Sequence, residues 1–266
     1  MNLIRKEIKY TFKNLIIWSV VIILFNLMYS SFTDLIIQQN SPLTFFLEKM
    51  PETLLNALNM DISIMSKPEG LFGTEGMTFM FIFFGIFSST LANKLFAGEY
   101  DHKTIEYLLV KPFPRRKIFL YKIFALSTNL ILLFFIFSVS LLSFFKIFVR
   151  GNYSNRILIS FSVYLLVTAF FFAALAVFLS LLVKNRKLTN SLSLGILFFM
   201  YFGYSISKGV KHMEFLRKIS VFYYMPVIET IKNNKGFYFN SLMILLVSFF
   251  IFAISAKIFE TQDIKI

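Results

Sequence analysis

The stretch "ILISFSVYLLVTAFFFAALAVFLSLLV", residues 157–183, carries no charged side chain over its whole length. A helix rises about 1.5 Å per residue, so about 20 apolar residues cross the hydrocarbon core of a bilayer, and this run is more than long enough. Bases close it on both sides, Arg156 before and Lys184 after. Working outward, five further apolar runs appear at about 15–37, 76–94, 118–145, 188–207 and 236–257. Six repeats of that length exclude the buried helices of a water-soluble core.

Composition agrees, with 57% hydrophobic, 19% aromatic and only 15% charged residues in 266. Unpaired backbone polar groups are too costly in lipid for any spanning form except helices and closed barrels, and the alternation that marks a barrel is absent. The sequence therefore predicts an all-α polytopic membrane protein: a single transmembrane domain, 1–266, with six transmembrane helices.

The amino-terminal "MNLIRKEIKYTFKN" is basic, but the apolar run after it is about twice the length of a signal-peptide core and lacks a small-residue cleavage pattern. It is expected to remain as the first span. Ile4, Ile8 and Phe12 fall at i, i+4 and i+8, with Arg5, Lys6, Lys9 and Lys13 mostly on other faces. That spacing fits an interfacial helix in the headgroup region and fits an ordinary basic flank equally well. Between Lys218 and Glu229 lies a shorter uncharged segment, 219–228, interrupted by Pro226, with Tyr223 and Tyr224 suited to the headgroup level. It reads as an interfacial or re-entrant piece, or as a hydrophobic loop.

Basic residues orient the chain. With the amino terminus inside, 16 of the 27 bases face the cytoplasm, although the outer loop 208–235 carries six. The first outer loop, 38–75, has five acids against two bases, so both termini are expected to be cytoplasmic. The net charge of +13 is dispersed over span flanks, which suits anionic membrane lipids and not nucleic acid. The abundance of Phe, Ile, Asn and Lys suggests an AT-rich genome, hence a bacterial plasma membrane.

Catalytic signatures are missing. There is no phosphate-cradling Gly-x-x-x-x-Gly-Lys-Ser/Thr loop, no His-Glu-x-x-His and no Gly-x-Ser-x-Gly. With no cysteine and two histidines far apart, His102 and His212, no metal site is expected. Charged residues are absent from the middle of every run, and Asp34, Lys94 and Lys122 lie close enough to span ends to reach water. Asn26 and Asn129 are the mid-span polar candidates for a transport pathway, although interhelical hydrogen bonding is the plainer role for each. Ala169, Ala173 and Ala176 form a small-residue stripe whose default reading is helix packing.

One interruption stands apart: "GEYDHKTIEYLLVKPFPRRK", residues 98–117, with three acids, five bases and a histidine. Ile105, Leu108 and Leu109 share a helix face, while Glu99 and Lys103 form an i, i+4 pair on another. Pro112 disfavours helical geometry at Lys111 and ends the helix near Val110. The expected result is a short amphipathic helix on the cytoplasmic side with a stiff return.

The order Glu99, Thr104, Glu106, Leu108, Leu109, Pro112, Arg115, Lys122 resembles the cytoplasmic coupling loop of permease subunits of type-2 ATP-binding-cassette (ABC) exporters. A basic "RKEIK" near the start, an aromatic "FYY" before the last run and the ending "FETQDIKI" are similar to that family as well. The chain departs from the family pattern at Lys103, where glycine is usual, at Pro114, where a small residue is usual, and at Gln262, where arginine is usual. The resemblance implies a transport subunit with no motor of its own. It would pair with a second permease copy, as homo- or heterodimer, and with a separate ABC ATP-binding subunit, so that ATP acts only through that partner. It also implies that Glu99, Thr104, Glu106, Leu108, Leu109, Pro112 and Arg115 couple the permease to the ATP-binding subunit. Rival readings are a carrier or channel without ATP coupling, and a non-transporting immunity or sensor protein. Phenylalanine-rich walls without buried charge favour an amphipathic or hydrophobic cargo: a peptide, an antibiotic or a lipid-like molecule.

Overall fold

The computed structural model describes residues 2–37, 49–51, 64, 67–102, 104, 114–209 and 213–262. Among these the regular structure is helical throughout: α1 (Asn2–Ile37), α2 (Pro68–Leu71), a π-helical turn (Phe72–Gly76), α3 (Met77–Leu95), α4 (Ala97–Asp101), α5 (Arg115–Phe148), α6 (Asn155–Val183), α7 (Arg186–Gly209), α8 (Glu214–Ile219), a 3-10 turn (Val221–Tyr224), α9 (Val227–Asn233) and α10 (Tyr238–Thr261). Five stretches are long and apolar enough to cross a membrane: α1, the run from α2 through α4, α5, α6 and α10. α7 has 24 residues but does not reach that composition, for it carries Lys187, Thr189, Asn190, Ser191 and Ser193 in its first turns and Tyr204, Ser205, Ser207 and Lys208 in its last.

The amino-terminal segment, for which a separate interfacial helix was one expectation, is instead continuous with the first span. No glycine or proline interrupts residues 2–37, so nothing breaks the hydrogen-bond ladder. Ile4 and Ile8 are half-buried and Phe12 is exposed, while Glu7 and Thr11 face the bundle.

α3 and α6 form the centre. α3 packs on α6 and α7, α6 also on α10 and α5, and α1 lies along α5. On α6 the small residues Ala169, Ala173 and Ala176 are fully buried, which lets neighbouring backbones approach. Hydrocarbon tails are as apolar as leucine, so helix association draws on close packing and interhelical hydrogen bonds and not on escape from water. Phenylalanine supplies much of that packing: Phe72 of the π-helical turn is fully buried and meets the rings of Tyr29, Phe137, Phe145 and Phe161. α1, α5 and α10 show rows of exposed apolar side chains, among them Leu24, Phe135 and Phe250, as lipid-facing helices should.

α6 stops at Lys184, which sits in the left-handed region at φ 53°. Asn185 then opens α7 by accepting a hydrogen bond from the Leu188 backbone N–H. Such a turn returns the chain at once, leaving α6 and α7 as antiparallel neighbours. The segment at 219–228 folds inward: Val221, Phe222 and Met225 are buried, and the Phe222 ring packs on Phe81, Phe172 and Tyr201.

Candidate functional site: a buried ionic junction beneath the charged loop

One end of the bundle gathers the amino-terminal turns of α1, the α3–α4 corner, the start of α5, the α6–α7 turn and the end of α10. At its heart is Lys122, only 1% exposed. Its ammonium donates to Glu7 Oε1 at 3.0 Å, to Glu99 Oε1 at 2.7 Å and to the Leu95 carbonyl at 2.9 Å. An ammonium has three N–H donors, so this set satisfies it completely. Lys122 was expected to reach toward water, and the structure corrects that: two acids from other helices draw it inward. Burying a charge is tolerable only when it is paired and hydrogen-bonded, and both conditions hold here.

The two carboxylates come from different places. Glu7 is a buried residue of α1. Glu99 belongs to α4, whose chain turns off α3 at Phe96, and its other oxygen accepts the Thr104 hydroxyl. The Thr104 backbone N–H also donates to the Glu99 carbonyl at 3.0 Å. Through Glu99, Thr104 of the charged loop is therefore tied to a lysine inside the bundle.

A second layer continues along the same helix faces. Asn129, seven residues beyond Lys122 on α5, donates to Thr11 Oγ1 at 3.0 Å and to the Ala125 carbonyl at 2.7 Å. Farther along, Asn26 donates to Ser140 Oγ at 2.8 Å. The partners Glu7–Lys122, Thr11–Asn129 and Asn26–Ser140 advance together in number, so α1 and α5 run parallel. Both mid-span asparagines thus serve as interhelical bonds. α3 has its own polar clasp: Asn93 donates to Asn190 Oδ1 at 2.6 Å and accepts from Ser180 Oγ at 3.0 Å.

The carboxyl-terminal end is stitched in as well. Arg115 Nη1 donates to the Gln262 carbonyl at 2.7 Å, Tyr100 donates its hydroxyl to Gln262 Oε1 at 3.1 Å, and Gln262 Nε2 donates to the Leu181 carbonyl at 2.9 Å. Asp101 accepts the Arg186 backbone N–H at 3.1 Å. Of the loop residues singled out in the sequence, Glu99, Thr104 and Arg115 converge at this end, whereas Glu106, Leu108, Leu109 and Pro112 lie outside the described residues. Glu7 and Gln262 were missed as site residues. The only sequence signals were a lone acid among the bases of "RKEIK" and a polar residue after the last span.

Among the described residues no cluster of histidine, aspartate or glutamate has the makings of a metal site. The junction's hydrogen bonds tie α1, the α3–α4 corner and α5 together at one ammonium. The family model described as "ABC-2 family transporter protein" matches residues 1–264. The chain belongs to the ABC-2 transporter family. No curated protein matches the chain at a significant level. As an ABC-2 permease it is a multi-pass membrane component of an ABC transporter, and its family implies association with an ATP-binding subunit.

Proposed function

We propose that this permease is the membrane-spanning part of an ATP-driven exporter in a bacterial plasma membrane, with both termini cytoplasmic and α7 as a sixth crossing. It works with a second permease copy and with a separate ATP-binding subunit that docks on the 98–117 loop. The observation that carries this reading is the Lys122 junction. Glu99 at the root of the loop, Glu7 of α1 and Lys122 of α5 meet at one ammonium, so a displacement of the loop reaches three helices at once. ATP shifts a conformational equilibrium only by binding one state better than another, and a stiff ionic joint is a means of passing that preference inward. The excess of bases at this end supports its cytoplasmic placement. Phenylalanine-rich helices, with charge confined to their ends among the described residues, favour an amphipathic or hydrophobic cargo such as a peptide, an antibiotic or a lipid-like molecule.

In this reading Glu106, on the loop, contacts the ATPase, and Glu99 transmits the movement. Glu106→Lys is expected to reduce co-purification of the ATP-binding subunit while the permease stays monodisperse. Glu99→Gln is expected to keep the subunit bound but uncouple ATP hydrolysis from export. Unchanged assembly and transport in both variants would sink the proposal.

A further inference from the structure

Gln262 joins parts of the chain that lie far apart in sequence. It follows the last residue of α10, and Phe259, one turn earlier, is buried against Phe119, which in turn packs on Phe96. That aromatic row seats the end of α10 at the α3–α4 corner. Hydrogen bonds then tie Gln262 to α4, α6 and α5. Its side-chain oxygen accepts the Tyr100 hydroxyl at 3.1 Å, its Nε2 donates to the Leu181 carbonyl at 2.9 Å, and its main-chain carbonyl accepts Arg115 Nη1 at 2.7 Å. Tyr100 lies in α4, where the 98–117 loop begins, and Arg115 opens α5, where the loop ends. One residue thus holds both roots of the loop.

Each bond answers a physical need. The Leu181 carbonyl belongs to the last turn of α6, whose carbonyls have no donor within the helix. The Arg115 guanidinium meets the main-chain carbonyls of Glu260 and Gln262, where α10 ends and its dipole favours a cation. The Gln262 amide supplies the acceptor for Tyr100 and the donor for Leu181 in one side chain. The neighbours of Tyr100 serve a different purpose: Glu99 binds Lys122, and Asp101 accepts the Arg186 backbone N–H. Those two fix the entry root to the bundle, whereas Gln262 fixes the two roots to each other.

We propose that Gln262 is a positioning residue, a clasp that keeps the entry and exit of the loop at a set spacing so that the two roots move as one. Its role rests on the docking of an ATP-binding subunit on the loop: with the roots clasped, a push on the loop displaces α4 and α5 together.

The protein has no native cysteine, so spin labels enter only at chosen sites. In the full-length permease in nanodiscs, labels on His102→Cys and Lys117→Cys, both exposed, read the spacing of the roots by electron paramagnetic resonance. Tyr100→Phe removes one hydrogen bond and should raise the population with separated roots about fivefold; Gln262→Ala removes both side-chain bonds and should raise it further. The variant carrying both should gain less than the two effects combined, since they share a bond. Unchanged spacing in both single variants, or strictly additive effects, would overturn the clasp. A second pair, Phe148→Cys and Phe239→Cys, exposed where α5 ends and α10 begins, is read in the complex with the ATP-binding subunit. ATP should change its spacing, and Gln262→Ala should shrink that change severalfold while ATP hydrolysis continues and the thermal midpoint holds. An undiminished change would make Gln262 a packing residue and overturn its positioning role. No response to ATP with Gln262 in place would refute the docking of the subunit instead, and the first pair would still decide the clasp.

Discussion

Lys122 shows how much one side chain's meaning depends on residues far away in the sequence. Near the start of an apolar run, a lysine reads as a snorkelling anchor, and nothing local contradicts that. Its partner Glu7 stands 115 positions earlier, so the pairing was invisible to spacing along the chain. The energetics follow from the geometry. Lys122→Met would leave Glu7 and Glu99 together without their counter-charge, and removal of one partner from a buried ionic set costs about 3–5 kcal/mol. A clear drop in the thermal midpoint of the detergent-solubilised protein is expected, read by scanning fluorimetry. The triple variant Glu7→Gln, Lys122→Met, Glu99→Gln should recover much of that loss, because the apolar replacement of a whole buried ion set is often close to neutral.

Among the elements, the long helices were legible because uninterrupted apolar length has one physical explanation in a bilayer. Their contacts were less so. The parallel pairing of α1 with α5 depends on which face of each helix carries Thr11, Asn26, Asn129 and Ser140, and either face would have satisfied a hydropathy scan. Asn26→Leu removes the bond to Ser140 and should cost about 0.6 kcal/mol, the typical worth of such a link within a membrane; reversible unfolding in mixed micelles would measure it. Arg115 gives a larger local effect. Arg115→Gln removes the bond to the Gln262 carbonyl, so amide exchange over residues 258–262 should quicken while α5 itself keeps its protection. Unchanged exchange there would mean that Tyr100 and Leu181 hold the tail without help.

For the molecule as a whole, membrane class and family could be read from run lengths and from the charged loop, whereas the junction that joins loop to bundle could not. The loop showed its acids as a surface to be docked on; folding turns Glu99 inward. The first dozen residues gain a new role by the same route. Deleting residues 2–13 removes both Glu7 and Thr11, the α1 partners of Lys122 and Asn129. Transport is then expected to fall to background while the later helices still insert, as cysteine-accessibility labelling of introduced sites would report. Glu7→Gln alone should give an intermediate transport rate.

The parallel pairing of α1 and α5 also dictates an order of events at the ribosome. α1 leaves the exit tunnel with Glu7 unanswered, and the residue that answers it is not synthesised until the third long apolar run begins. Until then Glu7 lacks the ammonium with which it pairs in the folded protein. The final docking of α1 is thus timed by the emergence of Lys122, so a pause in translation between residues 104 and 122 would prolong the exposure of the first helix to quality-control proteases.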